Sequence, residues 1–191
     1  MCWKNNLADY LKDKIKKDEI SSIEIHARTG IPASTISNIL SKNHNRFLCT
    51  QFILLKLLFK ENHQEFLNKI FGETYFHNVK QVEKGSSLTS LGIYFTNNYH
   101  YEVFPKKKLV EATGLTSKRL DDIFSTDDRK IKIDEITKLE IASGKEIGFF
   151  CDMFFSDIKL NSDDEYEVLL QKQRDINKGA NSRRKPKEVK K

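Results

Sequence analysis

The stretch Gly30-Ile31-Pro32-Ala33-Ser34-Thr35-Ile36-Ser37 returns in altered form, 84 residues later, as Gly114-Leu115-Thr116-Ser117-Lys118-Arg119-Leu120. No other feature limits so tightly what this chain can fold into. Laid over itself at that offset, the sequence brings apolar residue onto apolar residue across about fifty positions. Leu7, Leu11, Ile15 and Ile20 meet Leu91, Phe95, Tyr99 and Phe104. Ile25 meets Leu109, Ile31 meets Leu115, Ile36 meets Leu120, and Ile39-Leu40 meets Ile123-Phe124. Phe47, Phe52 and Leu55 fall on Ile131, Ile136 and Leu139. Identity is sparse, but every match preserves helical spacing, which chance does not readily supply.

Each unit reads as four short helices. Leu7, Leu11 and Ile15 stand four apart and form one stripe on a first helix. Ser21 or Ser22 can cap a second, which ends at Thr29-Gly30 because a glycine there supplies the left-handed conformation that stops a helix without a Cβ penalty. Pro32 fits the start of a third helix, where its missing N–H costs nothing. Ile36, Ile39 and Leu40 give that helix a narrow inward face. A fourth, nearly all apolar, is expected at about 48–60. In the second unit Lys106 to Thr113, a turn at Gly114, a third helix on Leu120, Ile123 and Phe124, and "IDEITKLEIASGKE" fill the same places. The fold expected is all-α: a first bundle over 1–60, a helical connector with Phe66 and Ile70 on one face over 61–87, a second bundle over 88–158, and over 159–191 a C-terminal helix in "SDDEYEVLLQKQRDINK" followed by the basic tail "GANSRRKPKEVKK". "GFFCDMFF" (148–155) is dense enough in aromatics to seal a core or form an interface.

Charge distinguishes the units. The formal net charge is +6, and residues 1–60 carry ten Lys and Arg against five Asp and Glu, whereas 85–160 carry eleven against twelve. A basic first quarter and tail suit a polyanionic partner. A short helix, a glycine turn, and a second helix that uses only one face inward make a helix-turn-helix, whose outer face is free to enter a DNA major groove. In the first unit that face offers Ala33, Ser34, Thr35, Ser37, Asn38, Ser41 and Lys42, with no acidic member. Asn38 has the two-point geometry that reads adenine, and Ser34 and Thr35 at the helix start can hold a phosphate. Arg28, Lys42 and Arg46 can add backbone contacts, joined by Lys12, Lys14, Lys16 and Lys17 if they flank the groove.

The stretches "SSIEIHARTGIPASTISNIL" and, more weakly, "KKKLVEATGLTSKRLDDIF" resemble the lambda-repressor-like (XRE/Cro type) helix-turn-helix family over roughly residues 5–60 and 89–150. That resemblance implies tandem bundles of four or five helices, sequence-specific binding of double-stranded operator DNA in transcriptional regulation of a prokaryotic or phage-like genome, and two-fold homodimers as a further partner. It passes base reading to Ala33, Ser34, Ser37 and Asn38, and leaves phosphate contact to Arg28, Thr35, Ser41, Lys42 and Arg46. Where the family has a small alanine facing its third helix this chain has His26 and Val110. Where it has a phosphate-clamping glutamine the chain has Ser22 and Lys106. In the second unit the corresponding candidates are Lys106, Ser117, Lys118 and Arg119, but Asp121, Asp122, Asp127 and Asp128 make it the poorer reader.

Other chemistries find no residues to carry them. Cys2, Cys49 and Cys151 form no CxxC pair and His44, His63, His77 and His100 are scattered, so no metal, cofactor or disulfide framework is expected, and the histidines read as surface residues. "DDIFSTDDRKIKID" lacks the glycine and ligand rhythm of a calcium loop, and no phosphate loop, nucleophile elbow or HExxH helix occurs, so an enzyme is not expected. "FILLKLLF" (52–59) is too short to cross a membrane and the N-terminus lacks a signal-peptide core, which points to a cytoplasmic chain. The rival expectation is a protein-interaction or structural adaptor, with "GFFCDMFF" as its contact and the basic regions incidental.

Overall fold

The computed structural model describes residues 2–80, 106–125 and 131–184. Among them are ten α-helices and no β-strand: α1 (Trp3–Lys17), α2 (Ser22–Thr29), α3 (Ala33–Leu40), α4 (Cys49–Leu58), α5 (His63–Phe71), α6 (Lys106–Thr113), α7 (Ser117–Ser125), α8 (Ile133–Ala142), α9 (Phe149–Phe154) and α10 (Asp163–Arg184). The starts of α2, α3 and α4 recur 84 residues on as the starts of α6, α7 and α8. Leu91, Phe95, Tyr99 and Phe104 lie outside the described residues, as do Asp127, Asp128, His100 and the end of the expected connector, residues 81–87.

The first half packs as its spacing dictates. Leu7 and Leu11 of α1, Ile25 of α2, Ile36 and Ile39 of α3, and Phe52 and Leu55 of α4 are buried in one cluster. Full burial of each such side chain contributes about 1.5–3 kcal/mol. The stretch expected to connect the units starts instead with a further helix of this bundle. Asn62 Oδ1 caps α5 by accepting from Gln64 N (2.9 Å) and Glu65 N (3.3 Å), and Phe66, Leu67, Ile70 and Phe71 turn inward. Phe66 stacks on Phe52 with ring centres 4.7 Å apart and meets Tyr10 of α1 at 5.0 Å. At the rim Glu61 accepts from Tyr10 Oη (2.8 Å) and is paired with Lys14 (3.2 Å) and Lys69 (2.5 Å). Burial alone would raise its pKa; these donors outweigh that and hold it down to about 2.

The two halves meet through their backbones. Cys49 N donates to Ile131 O (2.8 Å) and Ile133 N donates to Phe47 O (3.1 Å), so Leu48 and Lys132 form an isolated antiparallel bridge. Leu48 and Lys132 are counterparts at the 84-residue offset, so each half donates to the other at the equivalent place, the reciprocity of a two-fold contact. The flanking caps agree: Gln51 Oε1 accepts from Leu48 N at 3.1 Å, and Glu135 Oε2 from Lys132 N at 3.0 Å. Helix α4 lies on its counterpart α8. Ile133, Ile136, Cys151 and Phe155 join the first-half core, and the thiols of Cys49 and Cys151 lie 3.4 Å apart inside it as small buried groups. A smaller cluster of Leu109, Leu115, Leu120, Leu139 and Ala142 holds α6, α7 and α8 together.

Three local expectations need correction. His63 is not a surface residue: both ring nitrogens are buried without a hydrogen-bond partner, the ring sits 5.0 Å from that of Phe52, and burial lowers its pKa to about 4. His44 is likewise half-buried, with Nε2 3.2 Å from Gln51 Oε1. The C-terminal helix does not stop before Gly179-Ala180-Asn181-Ser182; α10 continues to Arg184, and residues 185–191 of the basic tail lie outside the described region.

Candidate nucleic-acid interface

Hydrogen bonds fix α2 at both its ends, and those at the second end build the turn into α3. Ser21 caps α2 in a reciprocal box with Glu24, accepting from Glu24 N while the Glu24 carboxylate accepts from Ser21 N at 2.7 Å; these bonds hold that carboxyl below its ordinary range. At the other end Thr29 Oγ1 donates to Ile25 O (2.6 Å) and accepts from Ile31 N (3.2 Å). Gly30 takes the left-handed conformation at φ 70° and its N–H closes onto His26 O at 2.8 Å. His26, standing where the resemblance would have alanine, donates from Nδ1 to Ile31 O at 2.8 Å and so braces the turn from the side.

Helix α3 leaves this turn at Pro32, whose carbonyl accepts from Thr35 N (2.8 Å) and Ile36 N (3.1 Å) and which brings no side-chain cap of its own. Ile36 and Ile39 are buried; Ser34, Ser37 and Asn38 are exposed, and Ala33 and Thr35 half-exposed. After the helix Ser41 Oγ donates to Asn38 O (3.2 Å), and Lys42, itself left-handed at φ 65°, reaches Asp9 of α1 at 3.2 Å. Both side chains are exposed, a geometry in which an ion pair contributes about 1 kcal/mol at most, so Asp9 does not hold Lys42 tightly. Arg46 is exposed beside them, as are Lys12, Lys16 and Lys17 on α1; Lys14 turns inward to Glu61.

Arg28 is committed elsewhere in the chain. Its guanidinium pairs with Asp163 at 2.5 Å and lies 3.9 Å over the ring of Tyr166, both on α10. Asn161 completes this clasp, donating from its backbone N to Arg28 O (2.9 Å) and from Nδ2 to Ala27 O (2.7 Å), the carbonyls that α2 leaves open at its end.

The α6–α7 turn repeats the threonine and glycine bonds of the first, without the His26 brace, because Val110 stands in its place. Thr113 Oγ1 donates to Leu109 O (2.6 Å) and accepts from Leu115 N (3.2 Å), Gly114 has φ 68°, and its N–H reaches Val110 O at 2.8 Å. Its side chains go to different work. Arg119 turns inward and grips the buried Glu135 at two points, 2.9 and 2.7 Å. Burial would raise the Glu135 pKa, and the Arg119 contact reverses that and lowers it. Lys106 pairs with Asp121. Ser117 and Lys118 remain exposed at the start of α7, followed by the exposed Asp121 and Asp122.

One face of α3 therefore gathers Ala33, Ser34, Ser37 and Asn38, with Thr35, Ser41, Lys42 and Arg46 at its margins. Arg28 is held on the α10 side, and of the second-half candidates Lys106 and Arg119 are engaged by carboxylates. No spacing rule in the sequence ties Arg119 to Glu135 or Arg28 to Asp163. The only available signal was that Glu135 stands three residues after Lys132, and it reads as a cap. No described group of three His, Cys, Asp or Glu side chains is placed to hold a metal, and no described helix is long and apolar enough to cross a membrane. No protein-family model, curated protein or solved structure matches the chain.

Proposed function

We propose that this chain binds duplex DNA in a sequence-dependent way, with α3 in the major groove, and acts in transcriptional regulation as a lambda-repressor-like protein. The observation that carries the reading is the outer face of α3: exposed, small, polar and free of carboxylates, on a helix held to its predecessor by a glycine turn. Small polar side chains let the helix backbone approach base edges, and Asn38 supplies the two-point contact that distinguishes adenine. Lys42 and Arg46 then position the helix on phosphates without reading sequence.

The test is selection from random duplex DNA with the full chain, then titration of the selected duplex. Asn38→Ala should cut discrimination against a mismatched site by about 1–3 kcal/mol, while Asp122→Ala at the counterpart position leaves discrimination unchanged. Neutralising Lys42 and Arg46 together should weaken binding on every sequence and flatten the salt dependence by about two charges. Unchanged discrimination in the Asn38 variant would remove base reading from this face.

A second reading has one observation in its favour. Phe149, Met153 and Phe154 of α9 are exposed at 41%, 61% and 63%, an apolar surface of the kind that marks protein contacts. An adaptor built on α9 would be insensitive to every α3 substitution and would lose its partner on Phe154→Asp.

A further inference from the structure

We propose that Cys49 and Cys151 are a redox pair, closed to a disulfide by a low-molecular-weight disulfide such as oxidised glutathione. The bond fastens α4 of the first half to α9 of the second. Neither thiol takes part in the reading of α3, and the inference stands apart from it.

Placement carries it first. The two sulfurs lie 3.4 Å apart inside the core, each shut from solvent. A cystine bond of about 2.05 Å needs them to approach by only about 1.4 Å more. Both stand on anchored backbone. Cys49 N donates to Ile131 O at 2.8 Å, and the Glu140 carboxylate accepts from Gly148 N and Phe150 N at the start of α9.

Packing alone does not ask for sulfur at either place. At the 84-residue offset Cys49 corresponds to Ile133 and Cys151 to Leu67, and both of those aliphatic side chains are fully buried. The two buried thiols thus replace hydrocarbon where they face each other, while the third, Cys2, is exposed.

The bond to Cys151 and then burial push the Cys49 thiol up, and the nucleophile in thiol–disulfide exchange is the thiolate. The closed pair is therefore held reduced. Exchange proceeds through local opening of α9, a helix of six residues whose Phe149, Met153 and Phe154 are exposed. One cysteine thiolate, its proton passed to water, attacks a sulfur of the oxidant; the oxidant's S–S bond breaks and one glutathione thiolate leaves. The second cysteine thiolate attacks the protein-bound sulfur of that mixed disulfide and expels the other glutathione. Two cysteines lose two protons and two electrons, and the oxidant is reduced to two thiols. The new bond joins residues 102 apart in the chain, and a cross-link over so long a stretch strongly restricts the unfolded state.

The experiment uses the full folded chain carrying Cys2→Ser, equilibrated in mixtures of oxidised and reduced glutathione. Intact mass, thiol alkylation after acid quenching and unfolding, and peptide mapping without reductant read the products. Both thiols should disappear together, with a mass loss of about 2 Da and no retained glutathione. Peptides joined through Cys49 and Cys151 should come from the monomer. The urea midpoint should rise by about 1–2 M and return on adding dithiothreitol. Cys49→Val and Cys151→Ala, each leaving one of the pair, should abolish that response. Two thiols that stay alkylatable across the whole series overturn the inference, as does a separate glutathione adduct on each cysteine or a link between chains. A disulfide that forms in urea and not in the folded protein overturns it too, because the pairing then belongs to the unfolded chain.

Discussion

Thr29-Gly30-Ile31 and Thr113-Gly114-Leu115 turn with the same hydrogen bonds at the same lengths, yet the helices that follow them face water with different chemistry. In the first half the polar positions of α3 look outward and Thr35 occupies the place of Arg119. In the second half charge is drawn inside: Arg119 to Glu135, and Glu140 to the start of α9, where its carboxylate accepts from Gly148 N (2.9 Å) and Phe150 N (2.8 Å). Burial raises the Glu140 pKa, opposed by those same N–H groups. The backbone of such a turn is specified by a threonine and a glycine. The surface it carries is specified by other residues and can diverge while the turn stays fixed.

The sharpest way to break the comparison is at Glu140, whose counterpart is Lys56. Glu140→Ala strands two buried N–H groups and should cost about 2–4 kcal/mol in urea unfolding, with Glu140→Gln recovering part of it. Lys56→Ala should stay within about 0.5 kcal/mol. Equal losses would mean that the two halves share their internal charges after all.

Acid should next separate the halves at Glu61, whose counterpart is Lys145. Its pKa falls from 4.5 unfolded to about 2 folded. Its stabilisation is therefore complete above the unfolded value and is lost as pH drops through the folded one. Allowing for the screening of the solvent-facing Lys14 and Lys69, the contribution is about 1–2 kcal/mol. Stability measured from pH 6 down to pH 2 should fall less steeply in Glu61→Gln than in the parent; identical slopes would place the acid sensitivity elsewhere.

The smallest effect tests the shared turn. Gly30→Ala and Gly114→Ala each force a Cβ into the left-handed region and should each cost about 1 kcal/mol. Neither site adds a clash: the nearest atoms to a Cβ at Gly30 are those of Asn161 at 3.7 Å, and at Gly114 nothing lies within 4 Å. A difference much beyond this would show that the turns are not equivalent under strain.

Much of the frame was legible in the sequence. The starts at Lys106 and Ser117 follow from the 84-residue offset once the first glycine turn is recognised, and the Ser21 cap follows from Glu24 three residues on. The bridge between Leu48 and Lys132 was not legible, since it is made of peptide groups that every residue possesses. Nor were the buried roles of Glu135, Glu140 and His63: polar residues on short helices ordinarily face water, and here Arg119 closes over Glu135, the start of α9 over Glu140, and Phe52 and Gly148 flank His63. On α3 the exposed set could be read because Ile36 and Ile39 fix which face turns inward. The engagement of Arg28 and Arg119 could not, because their partners stand 135 and 16 residues away.

The clasp of Asn161 on α2 has a consequence for dissecting the molecule. The chain's last described helix is fastened to its second, so the order of the residues is not the order of the parts. A fragment cut after Ile158 would keep every residue of the first bundle and still lose the donors that close Ala27 and Arg28. The smallest piece that preserves the front of the molecule must therefore include its rear.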